Sequence, residues 1–178
     1  MSHNDHHDHR RPVGRTLARE RALQALYQID LAGADPLEAL RVAWGDEAQA
    51  PDAKAVEFAE ALVCGVLDHR ADLDAAIERY SHRWRIDRMS RIDRNILRLA
   101  TFELTKGPAL PVRVVLNEAI ELAKRFGADD SSAFINGILD RVAAEVAQAP
   151  TSTTPDDAVS ITDSDDAGAD ADSPLGEG

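Results

Sequence analysis

The feature that most restricts the fold is a helical spacing of apolar residues that repeats, with short interruptions, from Arg15 to about Val142. In the first such stretch, small and apolar side chains recur every three or four residues and fall within about a third of the helical circumference. They are Ala18, Ala22, Ala25, Leu26, Ile29 and Ala32. Strict alternation of apolar and polar residues, which is typical of a half-buried strand, does not appear. The pattern favours an all-α fold.

Start and stop signals divide this pattern into seven predicted helices. The second helix begins at Asp35, whose side chain can accept from free backbone N–H groups, and Glu38 reaches back to complete a capping box. Ser90, with Asp93 three residues later, predicts another helix start. Gly107 and the proline after it end that helix. Helices in this number, joined by short loops, predict a helical bundle.

The two ends of the chain differ in composition from the helical region. Residues 1–14 are rich in His, Asp and Arg, and residues 150–178 carry eight acids and no base. Neither end has the apolar content that offsets the entropy cost of ordering a chain. We therefore expect a mobile arm over residues 1–14, a helical domain over residues 15–149 and a disordered acidic tail over residues 150–178. Removing the tail's eight charges from the net charge of -12 leaves -4, so overall acidity does not exclude a nucleic-acid partner.

Composition also indicates the compartment and argues against catalysis. The single cysteine, Cys64, cannot form an internal disulfide, and no N-terminal apolar stretch is typical of a signal peptide or membrane span. We expect a cytoplasmic protein. The arm's histidines would have to be ordered at metal binding, so we expect no functional metal site. No nucleophile with its base and no phosphate-binding glycine loop is present, and the sequence predicts neither an enzyme nor a cofactor.

Arginines cluster at the start of the first helix. Arg15 and Arg19 lie one turn apart beside the apolar stripe, and together with Arg11 on the arm they suit a phosphate backbone. The alternative is a solvated helix face on which Arg19 pairs with a neighbouring acid. In a second arginine-rich stretch, Arg79–Arg98, the loop arginines could close helix C-termini, and Asp93 could cap its own helix.

Four long segments then appear in order along the helical region. They are RERALQALYQ at 19–28, IDRNILRLA at 92–100, NEAIELAKRFG at 117–127 and DDSSAFINGILD at 129–140. Together they resemble the NusB family of bacterial transcription antitermination factors, over a span from about Arg15 to Ala144. The resemblance implies two antiparallel three-helix bundles packed at an angle. It also implies an adaptor that binds boxA RNA of ribosomal RNA transcripts together with NusE, a small-subunit ribosomal protein, in an antitermination complex with RNA polymerase.

The resemblance also implies roles for particular residues. The set assigned to RNA is Arg11, Arg15, Arg19, Asp130, Ser131 and Phe134. A helix N-terminus offers N–H donors, and an aromatic ring offers a stacking face. Tyr27 and Asp93 are assigned to the NusE surface. From the residues alone, Phe134 could instead be a core residue, and Asp130 could be a helix cap.

Two features depart from the family pattern, and two other functions stay open. Pro12-Val13-Gly14 interrupts the basic run before the first helix, and the acidic tail is hypothesised to compete with RNA for the arginines. The first alternative function is an accessory helical module related to those of rRNA methyltransferases, which would require a cofactor-binding α/β domain. The second is a protein-only scaffold whose arginine face binds acidic helices.

Overall fold

A computed structural model of the chain describes residues 14–45, 52–81 and 84–148, which form seven α-helices and no strand. The helices are α1 (Gly14–Ala32), α2 (Pro36–Trp44), α3 (Ala53–Asp68), α4 (Arg70–Ser81), α5 (Arg91–Thr105), α6 (Val112–Phe126) and α7 (Ser131–Gln148). A short 3-10 helix, Ile86–Arg88, connects α4 to α5. The all-α prediction is confirmed. The predicted tail and all of the predicted arm except Gly14 lie outside the described residues.

Side-chain caps begin helices where the sequence predicts them. The Asp35 carboxylate accepts from two backbone N–H groups in the first turn of α2, at 3.0 and 3.1 Å. The Ser90 hydroxyl accepts from the backbone N–H of Asp93 at 3.0 Å and begins α5. The capping box at α2 is only half formed, because the Glu38 carboxylate binds the guanidinium of Arg41 instead of reaching back. Local hydrogen bonds therefore set these helix starts, as expected.

The helices pack as two groups around a central pair. α1 packs against α2, α3 and α5, while α5 also packs against α4, α6 and α7. The first group is α1 to α3 and the second is α5 to α7, with α4 connecting them. This arrangement confirms the two three-helix halves that the resemblance implies.

α1 buries a wider arc than its apolar stripe predicts. Leu23 is 1% exposed although the sequence places it beside the stripe, whereas Ala32, on the stripe, is exposed. The cause is the number of neighbours, since three helices surround α1. In α2, by contrast, the large apolar side chain of Leu37 is 63% exposed.

A glycine allows close contact between α3 and α5. A Cβ placed on Gly65 would lie 2.1 Å from a ring carbon of Phe102, well inside any allowed contact. The aromatic ring therefore packs directly on the α3 backbone, and only glycine leaves room for it.

We expect Gly65→Ala to lower the free energy of unfolding by about 1–3 kcal/mol, because the added methyl group displaces the Phe102 ring. Gly137→Ala is the matched control, since a Cβ on Gly137 meets nothing within 4 Å. It should raise stability by about 0.5–1 kcal/mol through helix propensity. Urea denaturation followed by circular dichroism measures both. Equal stability of Gly65→Ala and the wild type would contradict the close packing.

Candidate nucleic-acid interface

The first turn of α1 presents Arg15 on the surface. Its guanidinium carbon lies 5.3 Å from the ring centroid of Phe58 on α3, at a distance typical of a cation–π contact. Both residues line an open groove between the starts of α1, α3 and α6, which Lys54 also lines. Asp52 and Glu57 contribute acids to the same groove. Arg15 is therefore held by a ring and remains exposed to a ligand.

Arg19 lies one turn further along α1 and faces the interior. Its guanidinium forms a two-point ion pair with Glu103 of α5, with Nε to Oε1 at 2.9 Å and Nη2 to Oε2 at 2.6 Å. Its Nη1 lies 3.5 Å from a carboxylate oxygen of Glu118 on α6. Only 3% of the side chain is exposed. The sequence predicts Arg19 beside Arg15 on a face that meets RNA, whereas in the structure Arg19 is buried and binds α1 to α5.

The turn between α6 and α7 carries the other residues assigned to RNA. Ser131 is 2% exposed, and its hydroxyl accepts from the backbone N–H of Ala128 at 2.9 Å, so it stabilises its own turn. Asp130 is exposed. Its carbonyl accepts from the N–H of Phe134 at 3.1 Å, in the first turn of α7. Phe134 is half-buried against the core. Asp130 and one part of Phe134 therefore remain accessible at this turn, and Arg11 lies outside the described residues.

α6 connects the start of α1 to this turn. The Thr16 hydroxyl donates to Glu118 at 3.0 Å, and further along both helices Arg125 forms an ion pair with Glu20. Burial raises the pKa of Glu20 above its ordinary value of 4.5, although the Arg125 charge opposes the rise. The exposed start of α1 and the α6–α7 turn therefore lie along one continuous edge, with α6 between them.

Tyr27 and Asp93 lie at the opposite end of α1, near the start of α5, and both are half-buried. Asp93 uses its backbone N–H in the helix cap. Its side-chain Oδ1 is buried and has no hydrogen-bond partner among the described residues. A buried carboxylate oxygen normally has a donor. Capping and contact with a ligand are therefore compatible at Asp93, because they use different atoms.

A buried ionic network lies close to these two residues. Asp30, near the end of α1, accepts from Arg70 through Oδ1 at 2.6 Å. Its Oδ2 accepts from Arg94 at 3.2 Å, Asn95 at 3.1 Å and Arg98 at 3.3 Å. Burial alone would raise the pKa of Asp30. The nearby arginine charges and the hydrogen bonds from Arg94 and Asn95 outweigh burial and hold the pKa below its ordinary value of 3.8.

The acids that bind these arginines and Arg19 have no role predicted from the sequence. They are Asp30, Asp74, Glu103 and Glu118, of which Asp74 forms a two-point pair with Arg98 at 2.7 and 2.8 Å. A signal was present in the helical spacing. Asp30 follows Leu26 by one turn, and Glu103 follows Leu99 by one turn, so both acids continue a buried stripe. A buried acid requires a cation or several donors.

Residues 14–45, 52–81 and 84–148 were also compared with the requirements of a metal site and of a membrane-spanning helix. They contain no group of three or more His, Cys, Asp or Glu residues able to hold a metal ion. Within the same ranges, no helix combines the length and apolar character needed to cross a membrane.

We expect Arg19→Met to lower the free energy of unfolding by about 3–5 kcal/mol, because it leaves the Glu103 carboxylate buried without its partner. Arg19→Met combined with Glu103→Leu should recover most of this loss, since an apolar pair of similar volume leaves no buried charge. Urea denaturation of the two single variants and the double variant gives the coupling. Additive losses would show that the two side chains do not interact.

The lowered pKa of Asp30 predicts sensitivity to acid. The stability that the ionised carboxylate contributes is present above the ordinary value of 3.8 and is lost as pH falls through the lower folded-state value. Wild-type stability should therefore fall more steeply below the ordinary value of 3.8 than that of Asp30→Asn. Asp129→Asn, at an exposed acid, serves as the control and should follow the wild type. Denaturation at several pH values measures the slopes, and parallel curves for Asp30→Asn and wild type would refute the assignment.

The helical region is similar to known proteins along most of its length. The sequence profile of the NusB family matches residues 16–144. The transcription antitermination protein NusB of Myxococcus xanthus strain DK1622 is 57% identical over 131 residues, which cover 72% of this chain and 94% of the relative. The structure of T. maritima NusB is similar with a TM-score of 0.67 and 39% identity, covering 74% of this chain and 91% of that one.

A second solved structure contains antitermination factors NusB and NusE in complex with double-stranded RNA. It is similar with a TM-score of 0.67 and 28% identity, and covers 74% of this chain and 97% of that one. The sequence relationship thus extends over most of the helical region, and the fold is similar to that of solved NusB structures. The chain belongs to the NusB family.

Proposed function

We propose that this protein is a transcription antitermination factor that binds boxA RNA of ribosomal RNA transcripts together with NusE, within an antitermination complex with RNA polymerase. The observation that carries the proposal is the match, along nearly all of the helical region, to a NusB chain whose structure was solved with NusE and RNA. The protein acts as an adaptor and catalyses no reaction. Bacterial transcripts are made in the cytoplasm, so we place the protein there.

The proposed RNA surface is the edge formed by the start of α1, by α6 and by the α6–α7 turn. Arg15 supports it as an exposed cation that Phe58 holds in place. At the other end of the edge, Phe134 offers a half-buried ring on which a base can stack. Asp130, exposed beside it, offers a carboxylate that can accept from a base edge or a 2′-hydroxyl.

Other residues assigned to RNA from the sequence support this surface differently. Arg19 fixes the start of α1 against α5 through Glu103, so it determines where Arg15 stands. Ser131 shapes the turn that presents Asp130, through its bond to Ala128. Arg11 belongs to the arm that we propose for residues 1–14, ahead of an RNA-binding domain over residues 15–149 and an acidic tail over residues 150–178.

We place the NusE surface at Tyr27 and Asp93. The support is physical as well as positional, because the buried Oδ1 of Asp93 has no hydrogen-bond partner within the described part of the chain. A backbone or side-chain donor from NusE would satisfy this oxygen and remove an energetic cost that the free protein carries. The two proposed surfaces lie at opposite ends of α1, so both ligands can bind together.

A titration of labelled boxA RNA with the full chain, alone and with NusE, at two salt concentrations tests the proposal. We expect NusE to tighten RNA binding and a scrambled boxA sequence to weaken it. Arg15→Gln should lower the slope of log affinity against log salt by about 0.7–0.9, the value for one phosphate contact. Phe134→Ala should weaken binding by about 5- to 150-fold through lost stacking. Asp93→Asn should weaken only the NusE-dependent gain.

Arg85→Gln is the matched control, since it removes the same charge from a side chain that is 77% exposed before α5. It should leave the salt slope unchanged. RNA binding that neither depends on the boxA sequence nor improves with NusE would contradict the adaptor function. Binding of acidic helical proteins with no RNA contribution would instead favour a protein-only scaffold.

A further inference from the structure

Arg125, in the last turn of α6, is a surface cation to which the proposed function assigns no contact with RNA or NusE. Its side chain is 57% exposed, and its Nη1 binds the carboxylate of Glu20, which is only 6% exposed. Its guanidinium carbon lies 5.4 Å from the ring centroid of Phe126. A buried acid thus holds one edge of the guanidinium and a ring lies on its face, while the rest of the side chain meets solvent.

This setting differs from that of the other paired arginines on the α1–α5 interface. Arg19 and Arg98 are 3% and 5% exposed, and each gives its donors to buried or half-buried carboxylates. A guanidinium has five N–H donors, and the contact with Glu20 engages one nitrogen of Arg125. The outer edge retains the planar fork that binds phosphate oxygens in two places.

Arg125 also lies between the two ends of the proposed RNA surface. It shares a shallow groove with Thr16 and Glu20 of α1, which lie one and five positions after Arg15. Asp130 follows Arg125 by five residues, across the α6–α7 turn. A strand that passes from Arg15 to Phe134 along α6 would therefore pass Arg125.

The other two acids that line this groove, Glu118 and Glu121, already have partners within the protein. Glu118 accepts from Thr16 at 3.0 Å, and Glu121 pairs with Lys124 at 2.8 Å. Glu20 differs from these two acids because its carboxylate is buried while the side chain of Arg125 is mostly exposed. Burial of a carboxylate costs free energy that a neutral side chain would avoid. The pair restrains one side of the Arg125 guanidinium and leaves most of the side chain exposed to solvent.

We propose that Arg125 is a phosphate ligand of the bound RNA and that Glu20 is its positioning residue. The inference rests on the proposed function, because it adds a contact for the same RNA strand. The middle of the proposed RNA surface, between Arg15 and the α6–α7 turn, would then bind the phosphate backbone of the RNA.

BoxA titrations with the full chain test the phosphate contact. Arg125→Gln should weaken binding by about 3- to 10-fold at low salt and lower the salt slope by about 0.7–0.9. Arg125→Lys should keep most of the slope but bind less tightly, because an ammonium lacks the planar fork. Arg79→Gln is the matched control. Arg79 is 56% exposed and is likewise paired with an acid, Glu145, near the far end of α7. It should leave affinity and slope unchanged.

Glu20→Gln separates positioning from simple charge. It keeps a side-chain oxygen for Arg125 but removes a negative charge, which on charge alone would tighten RNA binding. If Glu20 positions Arg125, affinity should instead fall by about 2- to 5-fold, as expected for a weakened charge-assisted contact. Equal or tighter binding by Glu20→Gln overturns the positioning role, provided that circular dichroism shows an intact fold.

The inference and the proposed function can fail separately. A wild-type chain that shows no boxA preference removes the proposed function and the inference with it. A wild-type chain that prefers boxA and loses one phosphate contact in Arg15→Gln, while Arg125→Gln behaves like Arg79→Gln, overturns the inference alone.

Discussion

Two buried ionic contacts between α1 and α5 hold the fold in register. Near one end, Arg19 binds Glu103, and near the other end, Asp30 binds Arg98. Eleven residues separate Arg19 from Asp30, or about 16 Å along a helix. The order reverses on α5, where Arg98 comes before Glu103. A shift of one turn would leave charges at both ends buried without partners, at a cost of several kcal/mol for each.

This register places both proposed ligand surfaces. Arg15 lies one turn before Arg19, on the exposed side of the same helix, and Tyr27 lies three residues before Asp30. The buried residues of these pairs therefore fix the position of the residues that we propose to contact ligands. Helices α3 and α6 complete the proposed RNA surface by adding Phe58 beneath Arg15 and Arg125 beside Glu20.

The sequence predicts those parts of the structure that depend on neighbours along the chain. Asp35 and Ser90 begin helices where expected, because each cap bonds to N–H groups two or three residues away. The burial of Arg19 could not be predicted in the same way. Its partner is 84 residues distant, and a helical period does not reveal how many helices pack around α1.

In the candidate site, too, contacts between neighbours along the chain could be predicted and long-range contacts could not. Asp130 and Phe134 are four residues apart and meet through a local helix start, so one motif contains both. Arg125 and Glu20 are 105 residues apart in the chain, and only the tertiary structure brings their side chains together. At Asp93 the sequence left two roles open, and the structure separates them by atom, with the N–H in the cap and Oδ1 without a partner among the described residues.

The clamping of α1 at both ends has a consequence for how two ligands would influence each other. A helix that relays a signal must slide, roll or tilt, and each of those motions would pull a charged group out of its buried pair. α1 is an unbroken helix from Gly14 to Ala32, so it connects the two proposed surfaces as one rigid element. Any cooperativity between RNA and NusE would therefore arise where the two ligands touch each other across a rigid platform, without an allosteric change in the protein.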